Sequence, residues 1–178
     1  MRTARWIAPA LAVVLAVSGC FLVSGQILID FDLGSFDVTT STVTREDVDL
    51  TTEEDYNDHK EDLKGLADVA VLGTINNTGA TAIGVEVWMT TSTTAYTTVN
   101  EVTTNGTKLW GPFNLAAGST ATVGWDESAA LFDATGKSVL IEDIKKDGQF
   151  TVYALSAAGT YEFDVDNGVL ALVLDFGK

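Results

Sequence analysis

Alternating apolar and polar positions organise most of the chain beyond its first two dozen residues. From Gln26 to Leu33, Ile27, Ile29, Phe31 and Leu33 fall on one side, with Gln26, Asp30 and Asp32 on the other. A period of two predicts a half-buried strand. Gly34-Ser35 predicts a turn, and Phe36 to Thr44 a second, Thr-rich strand. Leu66 to Asn76 is almost continuously apolar, which predicts a central strand covered on both faces. Asn76-Asn77-Thr78-Gly79 has turn chemistry, because Asn and Gly tolerate positive φ. It hands over to a partner strand, Ala82 to Thr91, in which Ile83, Val85, Val87 and Met89 alternate with Glu86 and Trp88. The Thr-dominated run from Thr90 to Thr98 also favours strand, since β-branched residues suit a pleated backbone. Leu109 to Leu115, Thr120 to Trp125, Gln149 to Leu155, Thr160 to Asp166 and Val169 to Phe176 complete the strands. Asn167-Gly168 between the last two predicts a two-residue hairpin.

Three segments carry helical signals instead. Nine carboxylates lie between Glu46 and Asp62 against one base, Lys60. Thr51 with Glu54 three residues on forms a capping box, and Gly65 is a natural stop, so a helix is expected over about 52–64. Its only apolar residues at near-helical spacing are Tyr56 and Leu63. Such a helix rests lightly on the domain or contacts something else. Asp126 can cap a short helix through Asp133 with Gly136 beyond it, and Ser138 can cap another through Lys146.

About ten short strands, regular turn signals and two or three short helices predict a mainly β fold, a single antiparallel β-sandwich. Pro9 and Pro112 break no proposed central strand. The stretch 66–125 resembles immunoglobulin-like and fibronectin-like bacterial modules. The shared shape is a strand ending in Asn-Asn-Thr-Gly, a partner strand, and a later Leu-Ala-Ala-Gly-Ser-Thr-Ala-Thr-Val edge. That resemblance implies an immunoglobulin-like sandwich and leaves function open.

The first residues follow another logic. Arg2 and Arg5 precede an apolar stretch from Trp6 to Val17, then Ser18, Gly19 and Cys20. A basic start, an apolar middle and a small-residue exit is the signal-peptide pattern. Val17-Ser18-Gly19-Cys20 resembles the bacterial lipobox. The resemblance implies a signal peptide over 1–19, cleavage before Cys20, diacylglycerol on the Cys20 sulfur and often a third acyl chain on the new amine. Cys20 is the one cysteine, so no internal disulfide accounts for it. An uncleaved signal anchor is the alternative, because Trp6 to Val23 approaches the roughly 18 residues of a spanning helix. Pro9, Ser18 and Gly19 interrupt that span. On the lipoprotein reading, residues 20–25 form a lipidated tether and 26–178 the sandwich. Phe21 in place of Asp implies the outer membrane, if the source is Gram-negative.

Loss of Arg2 and Arg5 with the signal peptide takes the formal charge from −15 to −17. That excludes nucleic acid and an electrostatic grip on anionic lipid, both of which reward a basic surface. Candidate chemistry is sparse. His59 is the single histidine and sits between Asp58 and Lys60 in the acidic segment, where it reads as a surface residue. No nucleophile elbow, zinc set or phosphate loop is present, so no catalytic, cofactor or metal residue is assigned. Calcium is the best inorganic candidate, through Asp164-Val165-Asp166-Asn167-Gly168 or through Asp30 and Asp32, although the first lacks EF-hand spacing. Trp88, Trp110, Trp125, Tyr96, Tyr153 and Tyr161 read as core, with a sugar- or peptide-binding platform as the alternative. The expected function is a lipid-anchored, non-enzymatic interaction or structural module of the cell envelope, with an envelope protein as partner and the acidic segment 52–64 as its contact surface. A calcium-dependent binding or adhesion domain is the alternative, and a small carboxylate hydrolase the second alternative.

Overall fold

The structure, a computed structural model, describes residues 24–41, 43–91, 95–157 and 159–177. The expected signal peptide and Cys20 lie outside the described residues. So do residues 21–23 of the expected tether. The strands are β1 (Ser24–Thr39), β2 (Thr44–Asp49), β3 (Leu63–Asn76), β4 (Ile83–Thr90), β5 (Thr107–Leu115), β6 (Thr120–Val123), β7 (Gln149–Ser156) and β8 (Glu162–Gly177). They form two four-stranded sheets, ordered β1-β8-β3-β6 and β2-β7-β4-β5. The mainly β sandwich predicted from alternation is therefore observed, with eight strands among the described residues.

The strand order follows one scheme. β1 pairs with β8, β2 with β7, β3 with β6 and β4 with β5, all antiparallel. This is one long antiparallel ribbon rolled up on itself and sealed by the β3–β8 and β4–β7 ladders. Eight strands in that order make a jelly roll. The immunoglobulin order instead sets four strands, A-B-E-D, against three, C-F-G. β3 and β4, expected as hairpin partners, lie in different sheets. Asn77 explains the crossing. It is fully buried, its Nδ2 donates to Thr81 O and Ala116 O at 2.9 Å each, and its Oδ1 accepts from Gly79 N at 3.1 Å. The turn chemistry of Asn76-Asn77-Thr78-Gly79 thus carries the chain across to the second sheet.

Two further expected turns are bulges within long strands. Residues 26–33 and 36–44 were expected as separate strands, and β1 runs through Gly34 unbroken. The predicted hairpin at Asn167-Gly168 is absent, and β8 continues through it for sixteen residues. Asn167 does adopt the positive φ that makes Asn-Gly a turn signal, at 53°. Here that conformation serves a bulge, because both halves of β8 find better partners in β1 and β3 than in each other. Phe163, Leu170, Leu172 and Leu174 are 0–1% exposed, and a hairpin would have left half of them without a second sheet to cover them. The irregularities line up. β1 shifts register around Gly34 and β3 around Gly73, both beside the bulge of β8. A Cβ on Gly73 would sit 3.2 Å from Asp166 O, and one on Gly168 the same distance from Gly34 O.

The helices are α1 (Glu54–His59), α2 (Val99–Asn105), α3 (Trp125–Ala130) and α4 (Ala134–Lys146). The Thr-rich run expected as a strand over 90–98 ends as one at Thr90, and positions 92–94 lie outside the described residues. Thr98 caps α2 in a complete capping box with Glu101. That pair satisfies orphan backbone donors, which outweighs the strand preference of Thr. α4 begins earlier than expected. Asp133 caps it by accepting from Thr135 N at 2.8 Å and Gly136 N at 3.1 Å, while Ser138 Oγ bonds back to Ala134 O. Gly136, expected as a stop, is the point where α4 lies on β5. A Cβ there would overlap Lys108 O and come within 2.8 Å of Leu109 Cα. Gly136→Ala is expected to push the helix outward and cost about 1–2 kcal/mol. An unchanged urea midpoint would contradict that close docking.

The core lies between the sheets and includes Trp110, Met89, Phe163, Leu155 and Leu172, each 0–1% exposed. A void of about 40 Å³ within it is lined mainly by apolar side chains such as Phe36, Val71, Val85 and Trp110. Ligand pockets usually run to roughly 300–1,000 Å³, so this void is a packing gap and not a binding chamber.

Candidate functional site

The acidic segment is the candidate surface picked out by composition. Asp49 ends β2 and caps a 3₁₀ turn, Leu50–Thr52, by accepting from Thr51 N at 2.9 Å and Thr51 Oγ1 at 2.6 Å. That contact holds the Asp49 carboxyl below its ordinary pKa. α1 follows, then a second 3₁₀ turn, Lys60–Asp62, and β3 starts at Leu63. One helix over 52–64 was expected, with Thr51 as cap. A six-residue helix between two 3₁₀ turns is found, and Thr51 is capped rather than capping. The physical reason is anchoring. Leu50, Tyr56 and Leu63 are 0%, 2% and 9% exposed, and their spacing fixes the path more firmly than helix continuity does. Tyr56 Oη donates to Ile144 O at 2.7 Å, joining α1 to the last turn of α4. The segment therefore does not rest lightly. It is a strap pinned at three points, with Glu54, Asp55, Asp58 and Glu61 exposed to solvent.

His59 is half-buried on this strap. Its ring lies 4.2 Å from that of Phe176, tilted by 50°, and Nδ1 donates to Asp55 O at 2.9 Å. Both contacts serve packing. Glu61 and Asp147 share a groove of about 350 Å³ with Lys60, Lys145 and Lys146. Asp147 bonds Lys146 Nζ at 3.1 Å, which holds its pKa down. A carboxyl held ionised is a poor general acid, so Asp147 does not fill that role in glycoside cleavage.

The proposed calcium ligands are dispersed. Asp32 Oδ1 accepts from Gly34 N at 2.8 Å and so supports the bulge of β1. Asp37 stands directly opposite Asp164 across β1 and β8, and Asn76 Nδ2 reaches Asp164 Oδ2 at 3.4 Å. Burial and the facing Asp37 raise the pKa of Asp164. Among the described residues, no three His, Cys, Asp or Glu side chains converge as metal ligands. The aromatic residues do not assemble into one face. Trp110, Tyr153 and Tyr161 are buried, while Trp88, Trp125 and Tyr96 are half-buried. Each of these indoles has its N–H satisfied: Trp88 by Glu86 Oε2 at 2.9 Å, Trp110 by Ser128 O at 3.0 Å, Trp125 by Asp68 Oδ2 at 2.7 Å. Cys20, the expected lipidation site, is outside the described residues.

One chemically loaded residue escapes the sequence reading. Asp143 is 3% exposed on the inner face of α4, and its Oδ2 has no hydrogen-bond partner among the described residues. Burial, with Asp147 nearby and Lys146 partly offsetting, pushes its pKa up to about 6. The inward stripe of α4 is Gly136, Leu140, Asp143 and Ile144. Asp143 falls three residues after Leu140, inside the stripe that Leu140 and Ile144 define, and that spacing was the available signal.

No family model, curated protein or solved structure matches the chain.

Proposed function

We propose that the mature protein is a lipid-anchored component of a bacterial cell envelope, serving there as a non-enzymatic interaction or structural module. What supports this reading is the run Trp6 to Val17 ending in Val17-Ser18-Gly19-Cys20, with the first strand starting four residues later at Ser24. Two or three acyl chains on Cys20 hold a protein firmly, because each buried methylene contributes about 0.8 kcal/mol and one chain alone binds only marginally. The partner on this reading is an envelope protein, and the outer membrane is the site in a Gram-negative host. Cys20→Ser tests it. The wild-type chain is expected in the detergent-soluble membrane fraction with a mass increased by acyl chains. The variant is expected to retain its signal peptide or appear without lipid. A wild-type chain of unmodified mass would refute the reading.

A second reading, a calcium-dependent binding domain, draws on the opposed carboxylates of Asp37 and Asp164. A divalent ion between them would offset the burial and the facing Asp37 charge that together raise the pKa of Asp164. The melting temperature should then climb in millimolar calcium, and Asp37→Asn should abolish the rise. A calcium-independent melt removes this reading.

A further inference from the structure

We infer that the sandwich stands on the lipid surface by one particular end, the end that carries the acidic strap. This inference rests on the proposed lipidation of Cys20. From Cys20 to Ser24 the chain spans four peptide units, which reach about 14 Å at full extension. β1 then runs from Ser24 to Thr39, roughly 50 Å of strand. The tether is far shorter than the domain, so the end bearing Ser24 stays near the headgroups whatever the tilt of the domain.

Register identifies that end. Ser24 pairs with Gly177, and Leu63 with Phe176. His59 packs on Phe176, and the Phe176 ring lies against Gly25. Asp49 pairs with Gln149, and Lys145 Nζ donates to Lys64 O. The whole strap from Asp49 to Leu63 and the end of α4 therefore lie beside the first residue of β1. The opposite end holds Thr40, Ser41, Gly79, Ala80 and Thr160, joined by hydrogen bonds such as Gly79 N to Glu162 O at 3.0 Å.

Charge then selects the lipid. Residues 49–64 and 145–149 carry eight acids and four lysines. An anionic headgroup layer is repelled by the acid excess. A zwitterionic layer offers ammonium groups to the carboxylates and phosphates to Lys60, Lys64, Lys145 and Lys146. The occupant of this surface is a zwitterionic lipid layer. The acidic strap therefore faces the membrane, and the hydroxyl-rich far end, with Glu162 at its edge, faces any protein partner.

The test uses the full chain, processed in a lipoprotein-competent host, its acylation verified by intact mass. Lys60→Cys and Ala80→Cys each take a thiol-reactive fluorophore, the Cys20 sulfur being blocked by lipid. The proteins are reconstituted in phosphatidylcholine vesicles containing a headgroup-linked quencher. The dye at position 60 should be quenched at least threefold more than the dye at position 80. Replacing a third of the lipid with phosphatidylglycerol should reduce quenching at 60. Equal or inverted quenching in an acylated protein overturns the orientation and leaves anchoring intact. Stronger quenching at 60 on anionic vesicles overturns the choice of lipid. An unacylated chain refutes the anchoring reading and this inference with it.

Discussion

Tyr56→Ala is expected to cost about 4 kcal/mol of folding stability, the largest loss from any single side chain of the strap. α1 has six residues, and a helix that short has no stability of its own in water. Its position depends on what it buries, and Tyr56 is the residue of α1 that is buried. The ring fits against Gly148, where a Cβ would come within 2.6 Å of the hydroxyl oxygen and 2.8 Å of Cζ. The hydroxyl satisfies Ile144 O, one of the carbonyls left without a helical partner at the end of α4. Truncation removes a buried aromatic ring and this hydrogen bond together. Tyr56→Phe separates the two contributions. It keeps the ring and should cost only about 1 kcal/mol, the net worth of one intramolecular hydrogen bond. Urea unfolding followed by the fluorescence of buried Trp110 measures both variants. Hydrogen exchange should report the loss locally, with amides of 50–62 opening well before those of β8. Equal and small losses for Ala and Phe would mean that the strap is held by Leu50 and Leu63 alone.

The same residues show how much of this fold was legible. Alternation located the strand material well, because a side chain on a pleated strand either faces the partner sheet or it does not. Ile29, Ile75, Val85 and Leu172 are all buried as their periodicity requires. Turn chemistry was less decisive. Gly34, Asn77 and Asn167-Gly168 each supply a real conformational signal. Whether it produces a hairpin, a crossing between sheets or a bulge is decided by segments far away in the sequence. Gly34 and Gly168 meet across β1 and β8 only because the ribbon is rolled, and local sequence carries no trace of that. The strap was misread for a related reason. Its composition is that of a solvated helix, while its path is set by three apolar residues whose partners are Ile144, Gly148 and Phe176, near the other terminus. Of the candidate chemistry, Trp110, Tyr153 and Tyr161 are core as read, Trp88 and Tyr96 pack at its margin, and Trp125 is half-buried outside it. The lipobox-like run ending at Cys20 is the sequence's most specific motif, and on the anchoring proposed above the folded domain contributes only the place where the tether begins.

Asp143 carries the second large prediction, and its sign is opposite to that of most carboxylates. In the unfolded chain this group ionises near 3.8, whereas in the fold burial holds its proton until about 6. Between those values the native state binds more protons than the unfolded state, so stability falls as pH rises. The loss begins near pH 4 and is complete above pH 6. Moving the pKa that far corresponds to roughly 3 kcal/mol. The end of α4 lies near solvent and Lys146 is close, so screening reduces the expected effect to about 2 kcal/mol. Asp143→Asn keeps the shape and never ionises. It should match the wild type at pH 3.8 and below, and exceed its stability by about 2 kcal/mol at pH 7. Asp164, raised by burial and by Asp37, adds a slope of the same sign that persists in the variant. Asp49 and Asp147 act in the opposite direction. Their pKa values are lowered by contacts with Thr51 and Lys146, and the stability they supply disappears only as the pH drops through those lowered values. The two effects occupy different pH ranges, so the profile of the wild type should rise from strong acid to a maximum near pH 4 and decline toward neutrality. A wild-type profile flat between pH 4 and 7, or an Asn variant no more stable at pH 7, would show that the Asp143 carboxylate finds a partner on ionising. The most direct source of one is water entering beneath α4, and the exchange rates of its last-turn amides would then rise across the same pH interval.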